Sequence, residues 1–306
     1  MGSAGLTGAQ AKAAILSNVM QLAESQMRPL RERLASFRNQ VFNLTGVDVR
    51  GFFIDYPYAG SLDPVASPDV EVEALLAHGA QGQLDLIDEM ASYAEHLQHD
   101  DRIDWDIGQF PQLGKLAAYA LVRRAKPKRI LEIGSGSSTL ILKRALDDEG
   151  HGGVLTCIDP KPRRSIEATG ATLERRLLRP EDVEIVRGFE ANDVLFIDSS
   201  HIMLPGMDVD IQFNRMFPVL KPGVLVHVHD IFLPDDYPLN WHGRWYSEQN
   251  ALVGWIVSGY FDVVYAGYYA RTRMNAELRR ALSGVSGINQ EFRAGSIWLR
   301  RSASTR

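Results

Sequence analysis

Arg129-Ile-Leu-Glu-Ile-Gly-Ser-Gly-Ser-Ser-Thr139 is the stretch on which the fold turns. Arg129 to Glu132 read as a short apolar strand closing on an acid. Gly134 and Gly136 follow at once, where a chain turns tightly and lets a ligand approach its backbone. Ser137 and Ser138 are the expected N-cap hydroxyls of an apolar-periodic helix through Leu140, Ile141, Leu142 and Leu146. Strand, glycine turn and helix N-terminus together open a nucleotide-type site.

Two kinds of site share that opening. A dinucleotide fingerprint places a third glycine three residues after the second, to seat pyrophosphate on the helix N-terminus. Here that position is Thr139. Glu132, directly before the turn, would also face the two negative charges of a pyrophosphate. S-adenosylmethionine carries an ammonium and a sulfonium and no phosphate, so an acid suits it. Glu132-Ile-Gly-Ser-Gly136 resembles motif I of the class I methyltransferases. The resemblance implies cofactor contacts from Glu132, Gly134, Ser135, Gly136 and Ser138. An ordinary βα turn is the alternative reading of the glycines alone.

Working outward, Ala9 to Phe42 carries apolar residues at helical spacing and reads as an amphipathic helix bent near Pro29. Residues 46–68 are loop-like and aromatic, and Ser67-Pro68-Asp69 is a helix start. Helical spacing then runs to His99 with interruptions at Gly79 and Gly82. The expected division is a helical extension over 1–99 and a cofactor-binding catalytic domain over 100–306. Leu113 to Arg124 reads as a helix leading into the glycine-turn strand. Beyond it come strands at Val154 to Ile158, Val194 to Ile197, Val224 to Val228, Phe261 to Ala266 and Ser296 to Arg300. A helix is expected over Ile166 to Leu178 and a weakly marked strand between Leu177 and Val186. Further helices are expected over Val209 to Leu220 and Ser247 to Ser258. The alternation predicts an α/β fold: a Rossmann-like, doubly wound, seven-stranded sheet with a final antiparallel strand pair.

Ligands of such sheets bind beyond the carboxyl ends of the strands. Four strand ends here carry polar groups: the glycine turn, Asp159, Asp198 with His201, and His229 with Asp230. Asp159 stands where an acid accepts hydrogen bonds from ribose hydroxyls; a helix-start cap is its alternative. Asp193-Val-Leu-Phe-Ile-Asp198-Ser-Ser-His201 and Leu220-Lys-Pro-Gly-Val-Leu-Val-His-Val-His229-Asp230 resemble the metal-dependent O-methyltransferases related to catechol O-methyltransferase and to the macrolide-sugar and cephalosporin-type enzymes. The resemblance implies a divalent ion on Asp198, His229 and Asp230, cofactor contact from Asp198, and a general base at His201. His229 departs from the usual acid and widens the metal from Mg or Mn to an imidazole-tolerant transition metal. His227, two residues deeper on the same strand face, is expected to be a buried, hydrogen-bonded histidine. The aromatic loop Phe232 to Tyr246 either lines an apolar pocket or packs itself down, and Glu248 favours the dipole of its helix.

The function so implied is metal-dependent O-methylation of a small hydroxylated molecule from S-adenosylmethionine. N- or C-methylation, a nucleotide-dependent oxidoreductase and a non-catalytic methyltransferase-like module are the rivals. Across 306 residues the net charge is −5, so no global basic footprint favours nucleic acid or an anionic membrane. The lone Cys157 excludes an intramolecular disulfide and reads as a buried structural thiol. No apolar run approaches a membrane span and no signal peptide is evident, so the expected location is the cytoplasm. The N-terminal helices are the candidate surface for a homo-oligomer.

Overall fold

A computed structural model describes residues 68–303, apart from 106–109, 286, 290 and 292, together with isolated positions 34, 37, 38, 41, 45 and 61. The expected helix over 9–42 and the aromatic loop over 46–68 lie almost wholly outside the described residues. The chain divides into two compact units, Met1–Asp63 and Pro64–Arg306. The boundary expected between 99 and 100 therefore falls inside the second unit. In that unit α1 (Val70–His78) and α2 (Ala80–Gln98) precede α3 (Gln112–Ala125), and α2 packs on α3. The helix breaks at Gly79 alone; Gly82 lies inside α2.

α3 shows why this segment is central. Leu113 through Val122 are all buried, so the helix has no solvated face and is fixed by packing rather than by amphipathicity. Burying each of its Leu and Val side chains contributes roughly 1.5–3 kcal/mol before entropy is set against it. The one cation in that run, Lys115, is satisfied: its Nζ donates to the carbonyls of Asp104 and Trp105.

The sheet has seven strands in the order β3-β2-β1-β4-β5-β7-β6. They are β1 (Arg129–Ile133), β2 (Val154–Ile158), β3 (Thr172–Glu174), β4 (Val194–Ile197), β5 (Leu225–His229), β6 (Phe261–Ala266) and β7 (Ser296–Arg301). β7 runs antiparallel between β5 and β6, and β1 to β5 pair in parallel. The expected architecture is present. β4 and β5 are buried along their whole length, as parallel strands covered on both faces must be. The order reverses between β1 and β4, which opens a crevice at their carboxyl ends. α4 (Ser137–Glu149) returns from β1 to β2.

The segment between β2 and β4 differs from expectation. A helix was expected over Ile166 to Leu178, but Gly170 (φ +77) ends a single 3-10 turn at Glu167–Thr169, and Thr172–Glu174 becomes the edge strand. The strand expected between Leu177 and Val186 is instead a helical turn: Pro180 opens it, and Val183–Arg187 forms α5. Pro180 at a first helical turn outweighs the strand propensity of the β-branched residues that follow it. The helix expected over Val209 to Leu220 is also irregular. α6 (Asp208–Ile211) passes into a π-turn at Gln212–Met216 and a 3-10 turn at Phe217–Val219. Pro218 lacks the N–H an α-helical ladder needs there.

Candidate active site

The glycine turn joins β1 to α4. Gly134 has φ +85, and a Cβ there would stand 1.8 Å from the carbonyl oxygen of Asp198. Glycine is required because the end of β4 packs against this turn, not because a ligand does. Gly136 is different: its φ of 169° is extended, and a Cβ there meets nothing within 4 Å. The open space where a ligand can approach is therefore at Gly136.

Glu132 is buried with both oxygens engaged. Oε1 accepts from Ser138 Oγ at 2.6 Å; Oε2 accepts from Thr139 Oγ1 at 2.7 Å and Cys157 Sγ at 3.1 Å. Burial pushes its carboxyl up to about 7 against the pull of those donors. Glu132 and Ser138, both expected at the cofactor, are hydrogen-bonded to each other and tie α4 to β1. Neither Ser137 nor Ser138 is the N-cap; Gly136 holds that position, and its N–H donates to Thr139 Oγ1 at 3.0 Å. Thr139 stands where a fingerprint glycine would because its hydroxyl does this work. Cys157 is the buried structural thiol expected, its thiol pushed up by burial and by Glu132.

Asp159, at the end of β2, braces the same turn. Its Oδ2 accepts from Ser135 N at 2.7 Å and Ser135 Oγ at 2.9 Å, and its Oδ1 from Lys161 N at 2.7 Å. The carboxylate thus points at the glycine turn from the neighbouring strand.

The ends of β4 and β5 converge on His201. Its ring is buried, Nδ1 lies 2.8 Å from Glu248 Oε2, and Nε2 is 3.5 Å from Asp198 Oδ1 and 3.5 Å from Asp230 Oδ2. His201 (φ +61) and Asp230 (φ +55) both adopt the left-handed conformation that non-glycine residues avoid, strain typical of functional positions. Ser200 holds the preceding turn through Asp208: N–H to Oδ2 at 2.8 Å, and Oγ to Oδ1 at 2.5 Å. Burial works against charge on both partners of the ion pair, yet it is outweighed. His229 and His201 hold the Asp198 carboxyl well below the usual range, and Asp198 with Glu248 raises His201 well above 6.5.

The expected metal ligands are not assembled. Among the described residues no group of three or more His, Cys, Asp and Glu side chains is arranged to hold an ion. The reason is the imidazole of His201, whose Nε2 stands between the Asp198 and Asp230 carboxylates and takes their charge. His229 Nε2 is 3.6 Å from Asp230 Oδ1, while its buried Nδ1 has no partner. His227 is buried as expected but not hydrogen-bonded: neither ring nitrogen has a partner. It stacks on Phe196 at 3.9 Å, and burial keeps it neutral, well below 6.5.

A sequence-family profile described as a methyltransferase domain matches residues 131–231, from β1 to just past Asp230. The chain carries a methyltransferase domain. Domains of this type take their methyl group from S-adenosylmethionine. No curated protein matches the chain. Among solved structures it is similar to the S-adenosylhomocysteine-bound Podospora anserina methyltransferase PaMTH1, at 17% identity over 83% of this chain and 100% of that one, TM-score 0.38. It is also similar to the plantazolicin methyltransferase BamL, solved with a triazolic desmethylPZN analog and S-adenosylhomocysteine, at 12% identity over 76% and 95%, TM-score 0.36.

The methyltransferase domain is flanked by an aromatic wall from the loop after β5. Tyr246 packs on His201 at 4.6 Å, Trp241 meets Tyr246 at 5.8 Å, and Phe232 touches Tyr237, Trp241 and Tyr268. The loop packs itself down through Phe232 and Tyr237, which are buried, and its Tyr246 borders His201. Its Arg244 lies over Trp241 at 3.6 Å. Glu248 is the site residue the sequence reading missed. The signal was its helical face, shared with the buried Leu252 and Ile256.

Proposed function

We propose that this protein is an S-adenosylmethionine-dependent O-methyltransferase that acts on a small hydroxylated acceptor. The observation that carries the reading is His201, braced between Asp198, Asp230 and Glu248 at the switch-point crevice beside the glycine turn. A hydroxyl must lose its proton as it becomes a nucleophile, and the neutral form of this imidazole receives it at Nε2, between the Asp198 and Asp230 carboxylates. In the reaction the S–CH3 bond breaks, its electron pair returns to sulfur, and the acceptor oxygen forms the new O–CH3 bond. The proton passes to Nε2 of His201, whose positive charge the three carboxylates stabilise.

The donor side rests on Asp159 and Gly136. In this reading Asp159 accepts from ribose hydroxyls in exchange for Ser135 Oγ, and the cofactor lies in the space beside Gly136. Asp198 lines the same crevice, with its side chain 24% exposed, and suits a sulfonium. The metal that the sequence resemblance implies has no fitting ligand set among the described residues. A second reading, methylation of an amine, is favoured by the partly exposed acids beside aromatic faces, which suit an ammonium.

The test is methyl transfer from radiolabelled S-adenosylmethionine across matched pairs of phenols, alcohols and amines. Label transfer to the hydroxylated members supports O-methylation. Transfer confined to amines moves the assignment to the second reading, and transfer to none of the three classes rejects both.

A further inference from the structure

Glu248 opens α7 (Glu248–Val257). An acid in a first helical turn ordinarily needs only to face the helix's own free N–H groups. Glu248 is turned inward instead and is fully buried. Oε2 meets His201 Nδ1 at 2.8 Å, and Oε1 has no partner. The first turn of α7 also grips the backbone of the same histidine. The N–H groups of Ser247 and Glu248 donate to the His201 carbonyl at 2.9 and 3.2 Å, and Ser247 Oγ accepts from Met203 N–H at 2.8 Å. These bonds hold His201 in its left-handed conformation from the carbonyl side, while Glu248 holds the ring.

We propose that Glu248 is the positioning residue of His201: it fixes Nδ1 as the donor nitrogen, so that Nε2 is presented to the crevice between Asp198 and Asp230. An amide would orient the ring just as well at a smaller desolvation cost. A carboxylate with one oxygen left unpaired is the choice that also favours a positively charged ring, which is what His201 becomes when Nε2 receives the acceptor's proton. The inference rests on the role given to His201 above. It goes beyond it by making the α7 N-terminus part of the active site.

The test uses the full chain labelled with 15N-histidine, in the presence of S-adenosylhomocysteine. Wild type should show one strongly downfield, slowly exchanging Nδ1 proton that disappears in His201→Asn. Glu248→Gln keeps size and an acceptor oxygen, so it should fold and bind S-adenosylhomocysteine as wild type does. In it that proton should move upfield, and kcat should fall ~10- to 100-fold with KM for S-adenosylmethionine unchanged, the scale of loss for residues that orient a functional histidine. If Glu248→Gln does not fold, Glu248→Asp gives the same readout with the carboxylate withdrawn by one methylene. An Nδ1 resonance unmoved by the substitution, or an unaltered kcat, overturns the proposal. Failure of every acceptor would sink the O-methyltransferase reading, while the resonance alone still decides the Glu248–His201 pairing.

Discussion

His201 is constrained at its backbone, at Nδ1 and at Nε2, and its charge state sets how it works. Three carboxylates, from Asp198 after β4, Asp230 after β5 and Glu248 on α7, face a single imidazole. Against the opposing effect of burial they raise its pKa well above 6.5, so the ring keeps its proton to higher pH than an unpaired histidine does. The neutral form becomes available only as pH rises through the raised value. kcat should therefore climb on the alkaline side of neutrality. Stability has the opposite slope: the contribution of the charged ring is complete below about 6.5 and is lost as pH rises through the folded-state value. His201→Ala should lower kcat ~10²- to 10⁴-fold and flatten both slopes, with S-adenosylhomocysteine affinity retained. A profile from pH 6 to 9.5, with thermal unfolding at the same points, checks this. Wild-type activity that falls steadily from pH 6 upward would remove His201 from proton transfer.

At the scale of elements, the β1–α4 turn separates two uses of glycine that look alike in sequence. Gly134 admits the end of β4, and Gly136 leaves a space. Gly134→Ala drives a Cβ into the Asp198 carbonyl and should cost about 2–5 kcal/mol, combining overpacking with a positive φ. Gly136→Ala should leave unfolding within about 0.5 kcal/mol yet weaken S-adenosylhomocysteine binding. Urea unfolding and calorimetry on the pair separate the cases. Equal loss of stability in both variants, or unchanged affinity in Gly136→Ala, would contradict the assignment. The same turn shows what was legible in the sequence. Its hydrophobic period and glycines located β1, α4 and the crevice, and the acids at strand ends marked the candidate site. The direction of each side chain was not legible. Glu132 turned to Ser138 on the next helix and to Cys157 on β2, and Glu248 turned to His201, pairings that only the packing of one element on another brings about. The misread segment between β2 and β4 has the same origin. A three-residue edge strand carries too little period to outweigh its neighbours, and Pro180 was the better signal.

Over the whole molecule, the sheet order brings the ends of four strands to one crevice, which the sequence resemblance furnishes with a metal ion. In the folded chain the imidazole of His201 stands between the acids, and no ligand group forms among the described residues. Methyl transfer should accordingly survive exhaustive dialysis against a chelator, with elemental analysis confirming metal-free protein. Activity lost in chelator and restored by Mg²⁺ or Mn²⁺ would show that Asp198 and Asp230 close on an ion after all. No described helix is long and apolar enough to cross a membrane.

The claim on which the rest depends is that S-adenosylmethionine binds at the β1 and β2 strand ends. Calorimetric titration of S-adenosylmethionine into the wild-type chain and into Asp159→Ala tests it most directly. The account predicts saturable one-to-one binding to wild type and a loss of ~10-fold or more in the variant, since a hydrogen bond to a charged group is worth ~1.5–3 kcal/mol. No binding to wild type, or equal affinity in Asp159→Ala with its fold intact, would contradict it.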